Sequence, residues 1–449
     1  MKSTKAALVC LLFASLCLSN QLARADIWCS AYYPGYEQTA MPGSAIDFTA
    51  ITHLVHFSVF PGTNGTLSLT NNDLTNAFIT DAVTSAHAAN KKVLICVGGA
   101  GSAFQTDTST YLTTFILNLT NFMATNGYDG IDVDWEPLND SDGPLFTNFV
   151  SQLRVALNAF SQYKLLTIAV PPAATPSLIA SVQTNFDHIN LMTYDLSGPY
   201  SGWVTWFNSP IYNAGITFPT VPGEYVPSID ALVDSFAASG IPLNKLGIGA
   251  AFYGDIWTGA DGTSTGGATE PDQSWTTTPS VTPVTYNQIV SSNFSASQYH
   301  YDSDAQSAYY TVTNAVDTSE CFIPFDDQRT CQAKVSYARN RGLGGLIIFE
   351  LGQDHQPGRA DPLLQAITEA FATPGPLAIK SAGQNVTLSF ASAPLGSYNL
   401  QWTSNLMSPT WNSLLITNLS LTSTGGVIQA ADTQSLSQPR RFYRVKTPP

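Results

Sequence analysis

Charge is what this 449-residue sequence has least of. Asp, Glu, Lys and Arg together make up 11% of it, under half the share of about 25% in ordinary soluble domains. Basic residues are the scarcer kind, 18 against 32 acidic ones, for a net charge of −14. That balance repels phosphate backbones and anionic lipid, so neither nucleic acid nor a membrane is expected as a partner. The polar surface must come from Ser, Thr, Asn and Gln, which suits work on a neutral polymer. The six histidines show no HExxH or Cys/His ligand spacing, so no metal or cofactor is expected. Phosphate-loop glycine patterns are missing as well: Gly98-Gly99-Ala100-Gly101 fits neither GxGxxG nor a GKS/GKT ending. Long apolar runs are absent beyond the N-terminus, so no membrane span is expected.

The N-terminus reads as a signal peptide over residues 1–25. Lys2 and Lys5 form its basic start, Ala6 to Ser19 its apolar stretch, and Ala23-Arg24-Ala25 its small-x-small cleavage site. Cleavage before Asp26 is expected, with export to the periplasm or the cell exterior. It removes three basic residues and no acidic ones, leaving 18 − 3 = 15 basic against 32 acidic, or −17. Cys10 and Cys17 leave with it. In an oxidising compartment Cys321 and Cys331 are expected to pair. Cys29 and Cys96 lie in apolar strand-like runs and read as buried free thiols.

Hydrophobic residues make up 44%, enough for a large core. Eight short β-rich runs recur: Ile27–Tyr33, His53–Phe60, Lys92–Val97, Gly130–Trp135, Leu165–Val170, His188–Tyr194, Leu246–Phe252 and Gly345–Phe349. Helical patterns such as Asp73–Asn90 and Gly143–Tyr163 lie between them. Alternating strand and helix also suit an open doubly wound sheet, but the count of eight favours an α/β (β/α)8 barrel over residues 26–372. Residues 254–325 are too long for a connection and read as an inserted subdomain after strand seven. Thr373-Pro-Gly-Pro376 reads as a linker. Residues 377–449 then read as a small all-β module of sandwich type, either a carbohydrate binder through Trp402 and Trp411 or a spacer or sorting module.

The chemistry concentrates in Asp129-Gly-Ile-Asp132-Val-Asp134-Trp-Glu136-Pro137. A strand alternates faces, so Asp132, Asp134 and Glu136 share one face and Ile131, Val133 and Trp135 the other. The proline ends the strand. The carboxylates therefore line up toward the C-terminal strand end, where barrel active sites lie. Three carboxylates so close repel one another, and one should hold a proton that it can deliver. A calcium site would draw its ligands from turns and carbonyls instead.

Asp129, Asp132, Asp134 and Glu136 match the DxxDxDxE motif of glycoside hydrolase family 18, the chitinases, which this chain resembles over the barrel. Leu94-Ile-Cys96-Val-Gly98-Gly99 resembles its SxGG motif with Cys96 in place of Ser. Met192-Thr-Tyr194-Asp195 resembles its MTYD, and Phe252-Tyr253-Gly254 the seventh-strand motif before an α+β insertion domain. Phe349 stands where the family usually has Trp.

The resemblance implies a secreted, monomeric chitinase acting on chitin or chito-oligosaccharides by substrate-assisted retaining catalysis. It implies Glu136 as the general acid, Asp134 as the group orienting the acetamido, Asp132 as its proton-sharing partner and Tyr194 as a donor to the acetamido. Tyr33, Gly98, Gly99, Met192, Asp195, Trp203, Tyr253 and Phe349 are the expected substrate contacts. Trp135, Trp206 and Trp257 lie near strand ends or in the following loops and offer further stacking faces. Two other readings stay open: an endo-β-N-acetylglucosaminidase acting on N-glycans, and a chitin-binding lectin that has lost catalysis.

Overall fold

The structure is a computed structural model. It describes residues 27–292, 294–313, 320–358, 361–372, 378–382, 385–397, 399–406, 409–413, 422–432 and 441–446. The expected signal peptide and linker lie outside them. The chain divides into two units, 27–376 and, at its C-terminal end, 377–449.

Eight parallel strands form the larger unit: β1 (Trp28–Pro34), β2 (His53–Pro61), β3 (Lys92–Gly99), β4 (Gly130–Trp135), β5 (Leu165–Val170), β6 (His188–Leu191), β7 (Leu246–Ala251) and β8 (Gly345–Phe349). Each pairs with the next, and β8 closes on β1 through Trp28↔Gly345 to Ala31↔Ile348. This is the closed (β/α)8 barrel that the pattern of apolar runs implies.

Helix starts follow local chemistry. Thr75, Ser228 and Asp327 accept from backbone N–H groups at the heads of helices Asn76–Ala88, Ile229–Ala238 and Gln328–Arg341. Gly342, at φ 78°, ends the last of these.

Strand alternation sorts side chains into two cores. Ile95, Val97, Ile131, Val133 and Trp135 point outward and pack under the helices. Tyr32, Val55, Cys96, Ala169 and Ile347 fill the interior. Because both faces are buried, the inner face tolerates a polar side chain only where it has a partner or a function.

After β7 the chain builds a five-stranded antiparallel sheet, ordered 280–285, 253–258, 321–325, 307–312 and 299–302. Phe252 N–H donates to the Phe349 carbonyl at 2.8 Å, which ties the start of this excursion to β8. Its return is fixed by Asp326, which accepts from Ala251 N–H at 3.0 Å and from Lys334. The pairing of Cys321 with Cys331 is corrected here: both are buried free thiols. Cys321 opens a strand and Cys331 sits in the following helix. A strand advances about 3.3 Å per residue, which carries Cys321 away from that helix. Cys29 and Cys96 are also buried and unpaired.

Among its described residues the C-terminal unit holds two three-stranded antiparallel sheets. Leu388, Phe390 and Ala430 of one pack with Leu400 of the other. Its two tryptophans are covered by its own arginines: the Arg441 guanidinium lies 3.9 Å from the Trp402 ring centre and Arg444 lies 4.0 Å from Trp411.

Candidate active site

Asp132 and Asp134 project into the barrel from β4 and are buried, with Glu136 half-buried just past the strand. Asp132 accepts from Tyr32 Oη at 2.8 Å and from Thr167 Oγ1 at 2.5 Å. Those donors, with the Cys96 thiol, work against burial, which still pushes Asp132 up to about 6. Asp134 has one buried oxygen with no partner. Burial, and then the charges of Glu136 and Asp132, hold Asp134 well above the usual carboxylate range. Asp134 and Glu136 interact closely, and the pair is held above the ordinary carboxylate range. Burial raises Glu136 above its ordinary value, helped by the charge of Asp195.

The neighbouring strand gives the carboxylates room. Gly98 lies in register with Asp134. A Cβ on Gly98 would come within 1.9 Å of the Asp134 carbonyl oxygen, and its φ is +111°. Only glycine fits there.

Above the carboxylates opens a cavity of about 250 Å³. Asp134, Glu136, Met192, Tyr194, Asp195, Tyr253 and Phe349 line it, with Tyr32, Phe57, Phe60, Asn72, Ala100 and Ala169. Phe349 lies 5.8, 5.7 and 5.9 Å from the rings of Tyr32, Phe57 and Tyr194, so four aromatic rings form one apolar surface. Tyr253 Oη donates to Asp195 Oδ1 at 2.6 Å. The surrounding protein raises Asp195, and that hydrogen bond offsets part of the effect.

Other expected contacts lie elsewhere. Tyr33 faces outward, buried, its hydroxyl donating to the Met41 carbonyl at 2.5 Å. The inward tyrosine of β1 is Tyr32, which sequence reasoning missed although alternation along β1 separates the two. Gly98 and Gly99 supply clearance, and the adjacent Ala100 lines the cavity. Trp203 packs on Tyr200 and Phe218, at 4.9 and 4.8 Å, away from the cavity lining. Trp206 is buried, donating to the Pro227 carbonyl at 3.0 Å. Trp135 is stacked on Phe104 at 4.5 Å, and Trp257 is buried. Phe57, Phe60 and Asn72 come from and beyond β2, where no sequence signal marked them. Among the described residues no group of three or more His, Cys, Asp or Glu is placed to hold a metal ion.

The family model for glycosyl hydrolases family 18 matches residues 29–354. A Class V chitinase of Arabidopsis thaliana is 28% identical over 388 residues, covering 80% of this chain and 94% of that one. An Endochitinase 1 of Metarhizium robertsii is 27% identical, covering 60% of this chain and 62% of that one. Among solved structures, an Ostrinia furnacalis Group IV chitinase in complex with allosamidin superposes with a TM-score of 0.64 at 23% identity, covering 77% of this chain and 99% of that one. A chitinase-like agglutinin of Robinia pseudoacacia gives 0.61 at 24%, covering 76% and 98%. With its matched span running from β1 past β8 and the carboxylate stack inside it, the chain belongs to glycosyl hydrolase family 18.

Proposed function

We propose that this protein is a secreted chitinase that cleaves β-1,4-linked N-acetylglucosamine chains by substrate-assisted retaining catalysis. The observation that carries this is the stack of Asp132, Asp134 and Glu136 under an aromatic cavity, with a buried Asp134 oxygen that has no partner. The names of the curated relatives, Class V chitinase and Endochitinase 1, support the substrate class.

In this reading Glu136, whose affinity for a proton burial raises, holds one until transfer. Glu136 protonates the glycosidic oxygen. The substrate's acetamido oxygen attacks the anomeric carbon as the bond to the leaving sugar breaks. Asp134, with Asp132 able to share a proton, orients the acetamido N–H and offsets the positive charge that develops on the ring so formed. An anion in a water-poor pocket is most effective against charge that appears only in the transition state. Glu136, now ionised, takes a proton from water, and the hydroxide adds to the anomeric carbon as its bond to the acetamido oxygen breaks, restoring the N-acetyl group with net retention. Tyr194 supports the acetamido from the other side, while the Phe349, Tyr32 and Phe57 surface takes the apolar sugar face.

The lectin reading keeps one supporting fact, the likeness in fold to the Robinia agglutinin. The test compares wild type with Glu136→Gln on a chromogenic chitotriose glycoside, beside an N-glycan substrate. Chitotriose cleavage that falls roughly a thousandfold or more in the variant is the expected result. Cleavage of the N-glycan alone would move the substrate class, and chitin binding without cleavage would favour the lectin. Export is tested by N-terminal sequencing of the extracellular protein, with Asp26 expected as the first residue.

A further inference from the structure

The acidity of the chain belongs to its larger unit. Residues 27–376 carry 30 Asp and Glu against 10 Lys and Arg. Residues 377–449 reverse that balance, with one acidic residue, Asp432, against five basic ones, Lys380, Arg440, Arg441, Arg444 and Lys446. Asp432 is engaged inside the unit: Arg441 Nη1 donates to it at 2.6 Å and Tyr443 Oη at 2.8 Å. Among the described residues of this unit Arg444 has no carboxylate partner, and its contacts are Gln401 and Trp411.

Arg444 belongs to the sheet formed by Asn412–Ser413, Asn399–Thr403 and Phe442–Lys446. Leu400, Tyr443 and Val445 of that sheet pack into the core of the unit. Strand alternation therefore turns Gln401 and Arg444 to the outer face. Gln401 stands in register with Arg444 on one side and with Ser413 on the other. Arg444 is braced twice: its Nε donates to Gln401 Oε1 at 2.8 Å, and its guanidinium lies 4.0 Å from the Trp411 ring centre. Those contacts leave Nη1 and Nη2, the planar fork that meets a carboxylate with two parallel hydrogen bonds. The Gln401 amide and the exposed Ser413 lie in the same row and suit sugar hydroxyls. A neutral sugar or a nucleic-acid base would need an open aromatic face, and Arg444 occupies one face of Trp411.

We propose that this outer face binds a uronate-bearing polysaccharide, with Arg444 pairing a sugar carboxylate, and so holds the protein on acidic glycan. The proposal does not rest on the glycosidase reading and involves no residue of the barrel. The larger unit's excess of acid repels such a polymer, so attachment falls to the C-terminal face.

The experiment titrates the full chain calorimetrically with a galacturonate hexamer, with maltohexaose as the neutral control and a short single-stranded DNA as the phosphate control. Wild type is expected to bind the galacturonate hexamer and neither control. Arg444→Gln is expected to weaken that binding roughly tenfold. Arg444→Lys, which keeps the charge and loses the fork, is expected to weaken it as well. Gln401→Glu keeps an acceptor for Nε and sets a carboxylate beside Arg444, so it too is expected to lose binding. Thermal unfolding checks that each variant is folded, and Gln401→Glu decides alone if the Arg444 variants are not. Absence of galacturonate binding, equal binding of maltohexaose, tighter binding of DNA, or undiminished binding by Gln401→Glu or a folded Arg444 variant overturns the proposal.

Discussion

Just before β4, Asp129 accepts from Lys92 Nζ at 2.8 Å, His87 Nε2 at 3.0 Å and Val93 N–H at 3.0 Å. These partners outweigh partial burial and hold its carboxyl below the ordinary range. At the other end of the same strand, no cation offsets the burial that raises Asp132, Asp134 and Glu136. Four carboxylates in one motif thus split into a stabilising one and a costly set. Asp129 fastens the strand to its neighbour. The other three keep protons within reach at a pH where isolated carboxylic acids have lost them.

Removing the anion from the costly end has the largest expected effect. Asp134→Asn should lower kcat on chitotriose roughly a hundredfold to a thousandfold, with a much smaller change in KM, because its charge acts on the transition state. A loss confined to KM would assign Asp134 to ground-state binding and blur the contrast.

The next effect is one of sign. Asp132 is raised from 3.8 to about 6, so its contribution to stability is fully present below 3.8 and is lost as pH rises through about 6. Asp132→Asn should therefore raise Tm at pH 7.5, by the equivalent of about 3 kcal/mol at most, and give no gain at pH 3.5. Equal shifts at both pH values would mean that the strain lies in packing and not in charge.

Asp129 has the opposite slope. With its folded value below 3.8, its stabilisation is present above 3.8 and lost as pH falls through that lower value. Asp129→Asn should cost about 1 kcal/mol at pH 7, measured by urea unfolding, and leave kcat within about twofold. A large catalytic loss in this variant would show that fastening the strand and arming the site are one function.

The smallest expected change comes from the thiols. Cys321→Ser in native protein should leave Tm unchanged by added reductant, as in wild type, since no bridge joins Cys321 to Cys331. A reductant-sensitive Tm in wild type alone would restore the bridge.

Local sequence determined the parts that depend on period and chain stiffness. Apolar β-rich runs gave the eight barrel strands within a few residues. Period-two alternation aimed Asp132 and Asp134 inward, and Pro137 stopped the strand. The glycine pair at 98–99 marked a place where chains approach too closely for any Cβ. Tertiary structure decided what alternation cannot address. Tyr32, and not Tyr33, faces the carboxylates because closing the barrel fixes which side of β1 is inside. Trp203 and Trp206 serve a core built from the loop after β6 and the inserted sheet, two segments far apart in sequence. The hydrogen bond from Tyr253 to Asp195 across that same distance has no local signature, because a side chain in sequence carries no record of the partner it will face once both are buried.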